Sequence, residues 1–197
     1  MSRGESTRQA ILDRGLELAT RVGLGGLTIG QLADELKMSK SGLFAHFKSK
    51  ETLQVQVLGA AVDLFVDEVV RPALKVPRGE PRVRALFERW LSWGLDRPSG
   101  CFFAAASFEL DDQPGPAREA LLRAQRDWLE TLAQAVRIAI REGHFDESVD
   151  PDRTAFTLLG IMLAAHEVGR LLGDPRARSH AHATFEDLVA QSRPRVG

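Results

Sequence analysis

The chain reads TIGQLADELKMSKSGLFAHFKSKETL over residues 28–53, and this stretch decides the fold. Thr28 is followed three residues later by Gln31, which is the spacing of a capping box at a helix N-terminus. Apolar residues then recur at helical spacing until Leu36, and Ser39 can cap a second short helix over about residues 40–47. Two short helices separated by a tight turn are typical of a helix-turn-helix.

Helices are also predicted on both sides of this stretch. Before it, Ile11 and Leu18 share one helical stripe, and the glycine-rich run 23–26 is expected to end that first helix. After it, Ser49 can cap a long fourth helix that Pro72 is expected to end. The first 50 residues therefore predict a three-helix DNA-binding domain.

The third helix has the composition of a recognition helix. A helix that enters the major groove, about 12 Å wide, presents the side chains of its N-terminal end to base edges, so small and cationic residues suit that end. Lysines beside the free amides at the start of the fourth helix suit a phosphate. The residues with these properties are Ser39, Lys40, Ser41 and Gly42 at the entering end, and Lys48 and Lys50 before the fourth helix.

Over about residues 6–55 the sequence resembles the tetracycline-repressor (TetR) family of bacterial regulators. The resemblance is carried by the runs 28–36 and 39–53, the second of which follows the family's pattern of Gly, an aromatic side chain, His-Phe, Lys and Leu. The family usually has a tyrosine where Phe44 stands, so we expect Phe44 to make van der Waals contact with DNA or none. Ala45 replaces a second usual aromatic residue. The resemblance implies phosphate contact for Thr28, base contact for Lys40, Ser41 and Gly42, and DNA-backbone contact for His46 and Lys50.

These residues also have plainer interpretations. His46 could fill the joint between the third and fourth helices, and Lys48 and Lys50 could be solvated surface lysines. A helix-turn-helix can also serve as a protein-interaction module.

The rest of the chain has the pattern of a helical body. Helical periodicity recurs, while hairpin turns and sustained alternation of period two are absent from the sequence. We expect an all-α protein of about nine helices, with a helix-turn-helix DNA-binding domain over residues 1–50 and a helical ligand-binding and dimerisation domain over residues 51–197. The further helices are predicted over about 81–95, 101–110, 117–142, 151–172 and 176–191.

Aromatic and soft side chains gather in this body. Pockets for small molecules are mostly apolar with a few polar groups, so we predict a hydrophobic or aromatic effector there. The same residues could simply form the core. Cys101 could instead be a redox switch, although a buried inert thiol is commoner. The predicted ligand-binding residues are Trp90, Trp93, Cys101, Phe102, Phe103, Phe108, Trp128, Met162 and His166.

A second copy of the chain is also predicted as a partner. The segment from Thr154 to Leu172 is apolar almost all round, and such a helix requires burial all round. One of its faces is therefore expected to meet a second copy, together with the last helix, in a four-helix interface. Burial within one monomer is the alternative. The predicted interface residues are Phe156, Leu159, Leu163, Phe185 and Leu188.

Charge and composition limit the classes of protein. The net charge is −1, but residues 1–50 carry eight Lys or Arg against five Asp or Glu, a net of about +3. This distribution suits a DNA-binding head on an acidic body. The single cysteine suits a reducing cytoplasm, no run approaches the ~18 apolar residues of a membrane span, and the polar N-terminus has no signal-peptide core. We therefore expect a cytoplasmic protein.

Catalytic and cofactor motifs are missing from the sequence. It lacks a Gly-x-Ser-x-Gly elbow, a phosphate-binding glycine loop and a dinucleotide fingerprint. His180 and His182 stand two residues apart on a predicted helix, whereas a metal pair on one helical face needs a spacing of four. We predict no enzyme activity, no cofactor and no metal.

The function that the resemblance implies is a transcriptional repressor released by a small apolar or aromatic effector. Its expected partners are double-stranded DNA with a palindromic operator, the effector, and a second copy of the chain. The alternative is a helical module that binds a small molecule without any DNA function.

Overall fold

The computed structural model describes the backbone of residues 3–194 and the side chains of residues 7–194, and every regular element in that range is helical. Two π-helical turns, Val66–Val70 and Glu167–Leu171, extend α4 and α9. The helices are α1 (Arg3–Val22), α2 (Ile29–Leu36), α3 (Lys40–Phe47), α4 (Lys50–Phe65), α5 (Arg71–Leu74), α6 (Glu80–Leu95), α7 (Phe102–Leu110), α8 (Pro116–Arg141), α9 (Pro151–His166) and α10 (Ala177–Ser192).

The predicted all-α fold is confirmed. The helix α4, its π-helical turn and α5 follow one another without a break from Lys50 to Leu74, so the described part of the chain contains nine continuous helical rods. Nine is also the number that the periodicity predicts. The first helix ends at Val22, directly before the glycine-rich run expected to stop it, and Gly23 takes a left-handed φ of 81°.

The expectation that Pro72 ends the fourth helix is wrong, and the π-helical turn gives the reason. Proline has no amide hydrogen, and its ring crowds the carbonyl four residues back in an α-helix. In the wider turn over Val66–Val70, the Arg71 amide donates to the carbonyl of Val66, five residues back. This turn loosens the helix just before the proline, and the helix then continues to Leu74.

The chain divides into two compact units. The first contains residues 1–64 and 102–124, and the second contains residues 65–101 and 125–197. The domain boundary predicted after residue 50 falls at the start of α4 and stays a prediction.

The first unit has an apolar core formed by the inner faces of its helices. Leu32 on α2 and Leu43 and Phe47 on α3 are completely buried. Leu43 and Phe47 are four residues apart and therefore share one face of α3. A Cβ on Gly15 would lie only 2.8 Å from Val57 Cγ2, so the glycine permits the close approach of α1 to α4.

The second unit is built around stacked and interlocking side chains of α6, α8, α9 and α10. The rings of Phe87 and Phe185 stack with their centroids 4.0 Å apart. Leu86, Leu132 and Leu158 are buried to within 1% of complete. Each fully buried side chain of this size contributes about 1.5–3 kcal/mol.

Ion pairs tie the start of α6 to the end of α10 in this unit. Glu80 accepts hydrogen bonds from Arg84 at 2.8 Å and from Arg193 at 2.7 Å, and Arg84 also donates to Glu186 at 2.9 Å. The hydrogen bond from Arg193 has the largest effect on Glu80, and it lowers the pKa of this carboxyl from its ordinary value of 4.5 although burial opposes the change.

Neither a membrane span nor a metal cluster is found between residues 3 and 194. No helix there is long and apolar enough to cross a bilayer. No group of three or more His, Cys, Asp or Glu side chains there could hold a metal ion. His182 instead lies with its Nδ1 3.1 Å from Glu88 Oε1.

Candidate functional site

The helices α2 and α3 form a helix-turn-helix whose N-terminal ends are capped. Thr28 Oγ1 accepts a hydrogen bond from the Gln31 amide at 3.2 Å and donates to Gln31 Oε1 at 2.9 Å, so the predicted Thr-x-x-Gln cap is present. Ser39 Oγ accepts from the Gly42 amide at 3.1 Å. Each cap satisfies an otherwise free amide and stabilises its helix by about 1 kcal/mol.

The turn between the two helices is made by Lys37 in the left-handed conformation, with φ 54°. The Met38 amide donates to the Ala33 carbonyl at 3.0 Å, and the Lys37 amide donates to the Asp34 carbonyl at 3.3 Å. This pair of bonds is a Schellman-type helix end. It closes α2 sharply enough for α3 to begin at Lys40.

Most of the residues predicted to contact DNA are exposed. The helix α3 buries only Leu43 and Phe47, and most of its other residues are exposed. The Phe44 ring is 55% exposed and is therefore available to a partner. His46 is exposed and does not fill the joint between α3 and α4. Ser39, Lys40, Ser41, Phe44, His46, Lys48 and Lys50 are exposed, and Thr28 and Gly42 are half-buried.

The N-terminal ends of α2 and α3 meet at Gly30. A Cβ on Gly30 would lie 3.8 Å from Lys40 Nζ and 3.9 Å from Thr28 Oγ1, so the ammonium and the hydroxyl occupy neighbouring positions. A cation and a hydroxyl beside two helix N-termini suit the oxygens of a phosphate and the acceptors of base edges.

Backbone geometry also places the two lysines that precede and begin α4. Lys48 takes φ 63°, and its amide donates to the Phe44 carbonyl at 2.8 Å, which ends α3. Ser49 Oγ accepts from the Thr52 amide at 3.1 Å and caps α4, as predicted. Lys48 and Lys50 therefore stand on either side of a capped helix start, where a phosphate can bind.

An ion-pair cluster links α1 to α2. Glu35 accepts hydrogen bonds from Arg21 at 2.9 Å and from Arg14. The hydrogen bond from Arg21 is the first cause of the lowered pKa of Glu35, below its ordinary value of 4.5. Arg14 also pairs with Glu17, so two guanidinium groups and two carboxylates balance in this cluster, and its role is to hold α1 against α2.

The loop between α1 and α2 is held by side chains that no local sequence pattern identifies. Glu109, near the end of α7, accepts hydrogen bonds from the amides of Leu24 at 2.8 Å and Gly25 at 2.7 Å. Gln54 on α4, which is buried, donates to the Leu24 carbonyl at 2.7 Å. All these residues belong to the first unit. Their sequence separations of 30 to 85 residues leave no local signal for the pairing.

All three tryptophans lie in the second unit around Phe65, a residue that sequence analysis also missed. The Phe65 ring meets Trp93 edge-on at a centroid distance of 5.2 Å and Trp128 edge-on at 4.9 Å. Trp90 contacts Trp128 at 5.5 Å. Each of the four side chains is at most 7% exposed. The structure therefore brings three of the predicted ligand residues together.

Buried polar atoms without a partner lie in this aromatic cluster. The indole nitrogens of Trp93 and Trp128 are buried and make no hydrogen bond within residues 3–194. Such donors cost about 1–3 kcal/mol each when they stay unsatisfied. A ligand with hydrogen-bond acceptors would remove that cost.

A cavity of about 440 Å³ opens beside Trp93 in the same unit. Its lining includes Trp93, Ser92, Glu68 and Arg97. The Arg97 guanidinium lies over the Trp93 ring, 3.8 Å from its centroid, and also pairs with Glu68. A volume of this size falls within the range of small-molecule sites.

His166 and Cys101 both lie next to Gly94. A Cβ on Gly94 would be 3.9 Å from both Cys101 Cβ and His166 Nδ1, so the three residues are neighbours. Burial, followed by the charge of Arg170, lowers the pKa of His166 from its ordinary value of 6.5. The Arg170 guanidinium also donates to the carbonyl of Arg97 at 3.0 Å, which holds the loop after α6.

The remaining predicted ligand-binding residues are divided between the two units. Met162 is buried in the second unit. Phe102 and Phe103 are buried in the first unit, with their rings 5.5 Å apart. Phe108 also belongs to the first unit but is 71% exposed. A role in ligand binding stays a prediction for each of them.

The predicted dimer residues differ in exposure. Phe156 on α9 is 72% exposed, and Leu159 and Leu163 follow it on the same stripe and are half-buried. Leu188 on α10 is half-buried. Phe185, in contrast, is completely buried against Phe87, so it supports α10 from inside its own unit and offers no surface to a partner.

Two family models match the sequence. The model described as bacterial regulatory proteins, tetR family, matches residues 11–57. The model described as tetracyclin repressor-like, C-terminal domain, matches residues 79–185, which is more than half of the chain. No protein of curated function matches the sequence at a significant level.

Solved structures with the same fold cover 95% or more of the chain. A TetR transcriptional regulator from Chloroflexus aurantiacus J-10-FL is similar with a TM-score of 0.87, at 24% identity and with 98% of each chain covered. A TetR-family regulator from Cytophaga hutchinsonii gives a TM-score of 0.85 at 18% identity, with 100% of this chain and 99% of that one covered. AibR in complex with isovaleryl coenzyme A and operator DNA gives 0.70 at 21% identity, with 95% and 98% covered. At these identities the likeness establishes the fold.

Proposed function

The chain belongs to the tetR family of bacterial regulatory proteins, and on that premise we propose that this transcriptional regulator is a repressor that binds a palindromic operator as a dimer. Binding of a small apolar effector to its helical body releases the DNA.

The observation that carries the DNA-binding proposal is that the N-terminal ends of α2 and α3 lie next to each other. Lys40 Nζ and Thr28 Oγ1 both lie next to Gly30, beside two capped helix ends, and the surface of α3 around them is exposed. Groove-entering helices contact bases and phosphates with this end. The AibR relative was solved with operator DNA, which supports the same use of the fold here.

The test is selection of binding sites from random DNA, followed by titration of the selected duplex and a scrambled duplex at several salt concentrations. We expect a palindromic site whose half-sites are about 34 Å apart, and a logarithm of the binding constant that falls linearly with the logarithm of the salt concentration. Lys40→Ala should weaken specific binding about tenfold, a loss of about 1.4 kcal/mol.

Lys75→Ala is the matched control, because Lys75 is an equally exposed lysine in the second unit. It should leave the affinity for the selected duplex unchanged. Equal, weak binding of the wild-type protein to selected and scrambled DNA would overturn the DNA-binding proposal. A reporter gene behind the selected site should be repressed by the protein, and activation would contradict the repressor role.

The second unit supports the effector proposal. Its aromatic cluster around Phe65 supplies an apolar surface, and the Trp93 and Trp128 indoles supply two buried donors without a partner. We infer an effector with an apolar or aromatic body and a carbonyl or carboxylate oxygen that accepts these bonds. AibR was solved with isovaleryl coenzyme A, an acyl compound, which fits this chemistry.

Intrinsic fluorescence tests the effector proposal directly, since every tryptophan of the chain lies in this cluster. Aromatic carboxylates and acyl thioesters should be titrated with emission as one readout and release from the selected duplex as the other. A compound that changes emission and releases DNA supports the proposal. Trp128→Phe should weaken its binding more for carbonyl compounds than for matched hydrocarbons, and equal weakening would contradict the role of the indole donor.

A further inference from the structure

The carboxylate of Glu109 uses both of its oxygens on one loop. Oε2 accepts from the Leu24 amide at 2.8 Å, and Oε1 accepts from the Gly25 amide at 2.7 Å. The loop joins α1 to α2, and Glu109 stands one residue before the end of α7. An ionised acceptor shared by two successive amides makes charge-assisted bonds, which are stronger than neutral ones.

The glycines of the loop are what allow the carboxylate to come so close. A Cβ on Gly23 would lie 2.7 Å from Glu109 Oε1, and a Cβ on Gly25 would lie 2.6 Å from the same atom. Either distance is shorter than a carbon and an oxygen tolerate. The absence of side chains at both positions therefore leaves room for the Glu109 carboxylate against the loop, and a side chain there would displace it.

A third bond holds the loop from another helix. Gln54 on α4 donates to the Leu24 carbonyl at 2.7 Å, and this side chain is buried. The Leu24 backbone thus has its amide bound by α7 and its carbonyl bound by α4. Leu24 itself is only 1% exposed, so its side chain anchors the loop in the core of the first unit.

We propose that Glu109 is a positioning residue for DNA binding: it holds the α1–α2 loop to α7 and so sets the direction in which α2 enters the helix-turn-helix. The proposal rests on the proposed DNA-binding function. The loop leads directly into the Thr28 cap, and α2 begins at the next residue. A loop released from Glu109 leaves the start of α2, and with it the neighbouring Lys40, free to shift against the operator.

The position of α7 in the chain gives the two bonds between Glu109 and the loop a regulatory role. The same nine-residue helix begins with Phe102 and Phe103, which are predicted effector contacts, and ends one residue after Glu109. A displacement of Glu109 away from the loop by about 1 Å would lengthen both bonds, from 2.8 and 2.7 Å, beyond hydrogen-bond distance. Effector-driven movement of this helix would therefore reach the DNA-binding helices through the loop.

The test compares wild type, Glu109→Gln and Gly25→Ala, with Asp112→Asn as the control. The control removes one negative charge from an exposed residue two positions after the end of α7. Three quantities are measured: hydrogen exchange of the Leu24 and Gly25 amides, affinity for the selected duplex, and the tryptophan emission of the second unit. The amide of glutamine keeps one acceptor oxygen but turns a donor toward the other backbone amide.

We expect both variants to speed exchange of the two amides at least tenfold and to weaken specific DNA binding about tenfold, with unchanged tryptophan emission. Asp112→Asn should change none of the three. Faster exchange with unaltered DNA affinity would reduce Glu109 to a purely structural role, and unaltered exchange would show that the carboxylate does not hold the loop. Failure of wild type to select any DNA is a different result, which defeats the proposed function itself.

Discussion

At the scale of single residues, we expect the partly buried imidazole of His166 to contribute to the pH dependence of this protein's stability. Burial of His166, and then the charge of Arg170, lower the pKa of His166 from 6.5, while the Gly94 backbone and Glu167 act in the opposite direction with smaller effect. Near pH 6.5 the folded state therefore binds fewer protons than the unfolded state. The stabilising contribution is complete above 6.5 and is lost as the pH falls through the lowered pKa of the folded protein.

We predict that His166→Gln removes this part of the pH dependence. Between about pH 7.5 and 5.5 the free energy of unfolding of wild type should fall more steeply than that of the variant, by less than about 1.4 kcal/mol per pH unit, the limit for one proton. Urea unfolding at a series of pH values measures the difference. Parallel curves for the two proteins would contradict the prediction.

Local residue chemistry explains which side chains of the candidate site could be predicted from the sequence. Thr28, Ser39 and Ser49 are recognisable as caps because each acts on an amide three residues away. Glu109 and Phe65 could not be recognised, because their partners are distant in sequence and any exposed carboxylate or apolar ring would look the same. The apolar pattern predicts Phe185 at an interface because helical periodicity does not tell an inner apolar face from an outer one.

At the scale of the helices, replacing either of two glycines of the first unit with alanine should change the stability of the protein in opposite directions. Gly59 lies within α4 with no atom within 4 Å of a Cβ placed on it, whereas a Cβ on Gly15 would lie 2.8 Å from Val57 Cγ2. We predict that Gly59→Ala stabilises the protein by about 0.5–1 kcal/mol through helix propensity. Gly15→Ala should destabilise it by about 1–3 kcal/mol through overpacking. Thermal unfolding of the two variants checks both signs, and a shared direction of change would contradict the argument.

Helix positions were predictable because caps, glycines and prolines mark their ends within a few residues. The helix predicted over 81–95 is found as α6 (Glu80–Leu95), and the one predicted over 117–142 is found as α8 (Pro116–Arg141). The π-helical turns were not predictable, since the apolar pattern barely changes across such a turn, although the first of them lies just ahead of Pro72.

At the scale of the whole molecule, the all-α class and the family follow from the sequence, because they depend on periodicity and on one compact motif. Placement of the effector residues needs the structure. Three predicted tryptophans converge on Phe65 in the second unit, while Phe102, Phe103 and Phe108 belong to the first. A pattern of apolar residues does not reveal which helices pack together.

An apolar stripe on α9 is the candidate surface for dimerisation. Phe156 on α9 is 72% exposed, and Leu159 and Leu163 lie three and seven residues further along the same face, next to α10, which packs against α9. We propose that a second copy of the chain covers this stripe, since a palindromic operator requires two recognition helices about 34 Å apart. Phe156→Glu should then raise the dimer dissociation constant about 30-fold or more, as loss of a central interface residue costs about 2 kcal/mol.

Sedimentation at micromolar concentration measures that change, and Phe108→Glu supplies the matched control. Phe108 is 71% exposed but belongs to the first unit, so its replacement introduces the same charge at a similarly exposed ring away from α9. We expect the Phe108 variant to sediment as wild type and the Phe156 variant to sediment as a monomer with weakened binding to the full palindrome. Because a monomer still presents one recognition helix, its affinity for an isolated half-site should stay unchanged. A Phe156→Glu protein that remains dimeric would place the interface elsewhere on the molecule.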